Sequence, residues 1–181
     1  MSRSSVGYAP AAAGESTAAT ATKPGLPAAP RGWGSTTCTP PDDHTRLAYA
    51  EIHPDEKGDT CAGFLRRAAA AFTDLGVERI ERVMTDNALA YRSTAWRHAL
   101  TDVGARACFT RSYRPQTNGK AERFNRTLLD EWAYQRPFAS NNDRAGALPD
   151  WLHTYNHHRT HTALDGHPPI TRVNNAAGHY I

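Results

Sequence analysis

No Asp occurs among the first 41 residues, and no apolar alternation or helical stripe runs through them. Prolines at 10, 24, 27, 30, 40 and 41 interrupt a stretch rich in Ala, Gly, Ser and Thr, so positions 1–41 are expected to be a disordered or unrelated low-complexity head. The opening MSRSSVGYAPAAAG has no contiguous apolar core, which argues against a secretory signal. No apolar run approaches the roughly 18 residues of a membrane span, and mean hydropathy is −0.64. The three cysteines, Cys38, Cys61 and Cys108, form no CxxC pair, so neither a disulfide framework nor a cysteine zinc site is indicated. A reducing cytoplasm follows as the expected compartment. No helix-turn-helix precedes the patterned region, which removes the usual device for reading a specific DNA sequence.

Patterned sequence begins at Asp42. RLAYAEI (46–52) alternates as a strand does. Asp59 and Thr60 are placed to cap a helix running to about Leu75, with Phe64, Leu65, Ala68, Ala71, Phe72 and Leu75 on its apolar face and Gly76 stopping it. RIERVMT (79–85) reads as a strand, Ser93 or Thr94 caps a helix closed by Gly104, and ARACFT (105–110) is a short strand. A loop at 111–120 leads to a helix from about Asn118 to Tyr134, and another covers about Asp143–His158. The stretch DGHPPITRVNN reads as irregular. This order is α/β, and such sheets hold ligands beyond the carboxyl ends of their strands.

Asp86 stands at such an end, and Glu122 opens the helix after the loop, with 35 residues between them. Each alone has a bland reading, Asp86-Asn87 as a turn and Glu122 as an acid favoured in a helix's first turn. Together they allow two carboxylates to face one cleft and share divalent cations, the usual arrangement for in-line attack on phosphodiesters. Net charge is only +3, but between Arg92 and Arg136 nine Lys or Arg face four Asp or Glu. That local excess suits a phosphate-backbone substrate, or simply a solvated basic face.

VMTDNALAY, RPQTNGKAERFNRTL and YNHHRTHTALDGHPPITR together resemble the integrase core of bacterial insertion-sequence transposases, DDE-type relatives of retroviral integrases, over about Asp42–Asn175. The resemblance implies an RNase H-like fold and metal-dependent phosphodiester cleavage and strand transfer in DNA integration and transposition. It implies Asp86 and Glu122 as catalytic ligands of two Mg²⁺ or Mn²⁺ ions, and Arg114, Lys120, Arg123 and Arg126 as phosphate-gripping side chains. Asn87, Asn118 and Gly119 would position the loops, with Gln116 and Thr117 between Arg114 and Asn118. DNA is the implied partner, a homo-oligomer the implied assembly, and the bacterial nucleoid the implied location. Ala121, Phe124, Leu128 and Trp132 form a separate stripe, read as core. His153, His157, His158 and His161 are read as packing or polar surface rather than as a zinc site.

The resemblance also exposes a loss. The family's first catalytic Asp lies on the first strand, yet RGWGSTTCTPP offers only Trp33 as a large apolar residue. Asp42 and Asp43 fall in the wrong turn to replace it. The expectation is therefore a core lacking its first two strands, 42–175, with a tail at 176–181, inactive as written. The alternative is a non-catalytic DNA-binding or assembly remnant.

Overall fold

The structure, a computed structural model, describes residues 4–7, 9–10, 35–39, 45–110 and 119–176, with backbone alone at 4–39, 119–122, 141 and 174–176. Among the described residues there are six strand segments: β1 (Ser4–Gly7), β2 (Ala9–Pro10), β3 (Ser35–Thr39), β4 (Tyr49–His53), β5 (Ile80–Thr85) and β6 (Arg106–Phe109). The helices are α1 (Gly58–Asp74), α2 (Thr94–Val103), α3 (Gly119–Leu128), α4 (Asn141–His157) and α5 (Ile170–Ala176). A single π-helical turn, Leu129–Ala133, follows α3.

β1 pairs in parallel with β5, which pairs in parallel with β6. β2 pairs antiparallel with β3, and β3 antiparallel with β4. The strands form two three-stranded sheets, β1-β5-β6 and β2-β3-β4, and only position 8 separates β1 from β2 in the chain, so one short stretch supplies a neighbour to β5 in one sheet and to β3 in the other. This corrects the expectation that the first two strands are missing. β4 has its neighbour, and the edge of β5 away from β6 is paired. The reason lies in what makes an inner strand. Backbone hydrogen bonds and β-branched Thr36, Thr37 and Thr39 suffice for STTCT, without the apolar alternation a sequence search needs.

Alternation along β4 divides the core. Leu47 and Tyr49 join one cluster with Phe64, Leu65, Phe72, Val83, Trp96 and Leu100, covered by α1 and α2. Ala48, Ala50 and Ile52 join the other with Phe124, Leu128, Trp132, Leu148 and Tyr155, covered by α3, the π-turn and α4. The predicted core stripe is thus buried at Phe124, Leu128 and Trp132, while the side chain of Ala121 lies outside the described residues.

Local chemistry sets the boundaries. β4 begins at Tyr49 rather than Arg46, because Arg46 has φ +66° and Thr45 Oγ1 accepts a bond from Leu47 N (3.2 Å). α1 starts at Gly58, before the predicted caps, since Asp55 Oδ1 accepts from Lys57 N (3.2 Å) and Thr60 Oγ1 (2.6 Å). Gly76, at φ +94°, ends α1's terminal turn as predicted. Ser93 Oγ accepts from Trp96 N (3.1 Å) to open α2, and Gly104 closes it at φ +72°. The predicted irregular tail instead forms α5. Pro168 and Pro169 suit a helix's first turn, their carbonyls accept from Thr171 N and Arg172 N, and Val173 packs into the first cluster.

Candidate active site and nucleic-acid interface

Asp86 follows β5 directly and is half-buried at the carboxyl end of the sheet. Its Oδ1 accepts from Ala88 N (2.9 Å), closing a short Asx turn. Asn87 Nδ2 donates to Thr110 O (3.1 Å), and Thr110 N donates to Thr85 O (2.8 Å), so the turn is braced across the ends of β5 and β6. Arg92 reaches back to Asn87 Oδ1 (3.2 Å) and lies 6.0 Å over the Phe109 ring. Burial pushes the Cys61 thiol up to about 12, with the charges of Glu56, Asp55 and Asp86 adding to it.

Glu122 is the fourth residue of α3, and Lys120 the second, but the side chains of both lie outside the described residues. Arg114, Gln116, Thr117 and Asn118 fall wholly outside them, and Gly119 is the first residue of α3. Arg123 and Arg126 are exposed on that helix. Among the described residues, no group of three or more His, Cys, Asp or Glu is arranged to hold a metal ion. The stretch Ser4–Pro10 contains no acid, and its last register partner before position 8 is Gly7 against Met84, two residues short of Asp86. The described donors therefore do not fit a three-carboxylate, two-cation centre.

The histidines divide in two. His153 and His157 stack at 4.5 Å, with His158 edge-on to His153 at 5.3 Å, at the end of α4. Burial and the two neighbouring imidazoles hold His157 below the usual histidine range. His161 packs instead on Tyr155 (5.0 Å). With Arg46, Arg123 and Arg159 it lines a cavity of about 400 Å³. Sequence reasoning assigned no role to Arg46 or Arg159. Arg159 stood in plain view in YNHHRTH, whereas Arg46 joins the group only through a backbone bend that no motif marks.

Two family models, both described as integrase core domain, match residues 28–115 and 103–169. Together the two matches run from residue 28 to residue 169, and the chain carries an integrase core domain. A candidate integrase, ORF3 of Spiroplasma virus SpV1-C74, is 24% identical over 145 residues, covering 74% of this chain and 40% of that protein. The cryoEM structure of the simian T-cell lymphotropic virus intasome, in complex with PP2A regulatory subunit B56 gamma, superposes with a TM-score of 0.60. It is 23% identical and covers 77% of this chain and 48% of the viral one, a likeness of fold that agrees with the expected RNase H-like α/β architecture. This integrase core spans less than half the length of either relative. The first match begins at residue 28, so the family pattern reaches upstream of Asp42 into the segment that carries β3. No helix among the described residues is long and apolar enough to cross a membrane.

Proposed function

We propose that this integrase core engages DNA in integration or transposition of an insertion element but does not cleave it as written. In this reading Asp86 and Glu122 are the two remaining catalytic carboxylates, and Asn87, Asn118 and Gly119 position their loops. Arg114, Lys120, Arg123 and Arg126 bear on DNA phosphates. Mg²⁺ or Mn²⁺ is the cation such a carboxylate pair would take, polarising a phosphodiester toward attack. The core works as a homo-oligomer in the bacterial cytoplasm, at the nucleoid.

One observation carries the reading: β1 runs beside β5 as far as Gly7 against Met84, two residues short of Asp86, and brings no acid. With one of three shared carboxylates absent, cation affinity and geometry both suffer. The two exposed arginines of α3 support retained DNA contact. The test is purified protein with Mn²⁺ on end-labelled DNA, with Glu122→Gln as control. The expected result is salt-sensitive retardation of DNA with no nicking above the control. Cleavage that Glu122→Gln abolishes would refute the incompleteness, and absence of retardation at low salt would refute DNA engagement.

A further inference from the structure

The cavity between the start of β4, the first turns of α3 and the end of α4 draws guanidinium groups from three separate segments: Arg46, Arg123 and Arg159. No Asp or Glu lines it, and its volume of about 400 Å³ admits a phosphate group with room to spare. Two details distinguish it from a solvated basic face. First, Arg46 holds φ +66°, a left-handed conformation unfavourable for a long side chain. Backbone strain of this kind persists where the surrounding structure enforces it, often at ligand sites. Second, Arg159 is fixed in place: its Nε and Nη2 donate to Glu131 at 2.7–3.2 Å. That pair, with the guanidinium 5.6 Å over the Tyr155 ring, orients the group before any ligand arrives. His161 adds a buried Nε2 with no hydrogen-bond partner.

We propose that this cavity is a phosphate-binding subsite, with Arg46, Arg123 and Arg159 as its cationic donors and the exposed Thr160 as a neutral one. Guanidinium forks suit the tetrahedral oxyanion of a phosphate mono- or diester. The cavity opens at the amino end of β4, and Asp86 follows the carboxyl end of β5. If the DNA reading above holds, and the choice of polymer rests on it, the subsite holds a backbone phosphate flanking the position of chemistry rather than the phosphate under attack.

The test uses the full chain and three probes: inorganic phosphate, and a duplex oligonucleotide with and without a 5′-phosphate. Inorganic phosphate is expected to shift the His161 imidazole ¹⁵N resonance and to bind measurably by calorimetry. Arg46→Gln should weaken phosphate binding about ten-fold or more and reduce the salt slope of DNA binding by about one. Arg46→Gly, which relieves the left-handed backbone while removing the charge, should melt no lower than wild type and still lose the phosphate. That pair of variants separates lost binding from lost folding. Phosphate binding that survives both variants, or no phosphate binding by wild type, overturns the subsite. Phosphate binding lost in both variants by a protein that retards no DNA sustains the subsite and overturns the DNA reading instead. A preference for the 5′-phosphorylated duplex assigns the site to a strand terminus, and equal binding assigns it to the backbone.

Discussion

Asn156 does with one side chain what a neighbouring strand would do with its backbone. Its Oδ1 accepts from Ala48 N (2.8 Å) and its Nδ2 donates to Ala48 O (2.9 Å), in a buried setting that clamps α4 to the start of β4. Asn156→Leu would strand both peptide groups away from water, each costing about 1–3 kcal/mol. We expect urea midpoints to fall by an amount equivalent to about 2–6 kcal/mol at unchanged slope. Ionisable groups at the same scale set an alkaline limit. Burial pushes the Cys61 thiol and the Tyr155 phenol each up to about 12, and the phenols of Tyr49 and Tyr91 are raised as well. Their ordinary values are 9.0 for the thiol and 10.0 for the phenols. Across that interval the unfolded chain releases protons that the folded chain retains, so this stability is complete below about pH 9 and is lost progressively toward about pH 12. Thermal melts from pH 8 to 11 should show a falling Tm, and Cys61 should resist a thiol reagent at pH 8 until the protein unfolds. Little of this was legible beforehand. The Asn156 clamp joins positions 108 apart, and no local pattern signals it.

Elements whose signals are local read correctly. Ser93, Gly76 and Gly104 punctuate α1 and α2 as their chemistry requires, because a cap and a left-handed residue act within a few positions of themselves. The start of α1 was missed for a related reason: Asp55 caps from outside the helix, through both Lys57 N and the Thr60 hydroxyl, so the residue nearest the periodic pattern is not the one that works. Packing between helix ends is less legible still. At Gly58, a Cβ would lie 2.4 Å from Ser93 Oγ and 2.7 Å from Ser93 Cβ, so the amino ends of α1 and α2 approach closely only because this residue is glycine. Gly58→Ala improves intrinsic helix propensity yet forces that contact apart. The overpacking should prevail, with a net loss of about 1–3 kcal/mol in denaturant titration. A gain in stability would show that the two helix ends separate easily.

For the whole molecule, the three described strands ahead of Asp42 supply sheet partners to β4 and β5. Removing residues 1–41 takes β1, β2 and β3 away and leaves β4 and one edge of β5 with unpaired backbone. The truncated chain should lose its sharp cooperative melt and bind a hydrophobic dye. A melt as sharp as that of the full chain would show that residues 42–181 fold alone. The same geometry offers a repair. Gly7 pairs with Met84, two residues before Asp86, and in the function proposed above an acid there would supply the third carboxylate. Gly7→Asp should strengthen Mn²⁺ binding several-fold and raise DNA nicking above that of wild type, both reversed by Glu122→Gln. The place of Asp86 just past a strand was legible because a strand and its end are written in one short run. The state of the first strand was not, because STTCT and SSVG bear no apolar signature and their pairing partners lie far along the chain.

The π-turn at Leu129–Ala133 carries a consequence of its own. Tyr134 N bonds Leu129 O (2.9 Å), five residues back, so the helix holds one residue more than a regular α-helical path requires. That surplus lets Trp132 and Ala133 both turn inward after Phe124 and Leu128. Excising one position there would restore regular winding and swing the following side chains by about 100°. Glu131 would leave Arg159, and the floor of the arginine cavity would lose its anchor. Length along this segment is therefore under tighter constraint than residue identity, and a cousin one residue shorter here would have to seat its indole by another route.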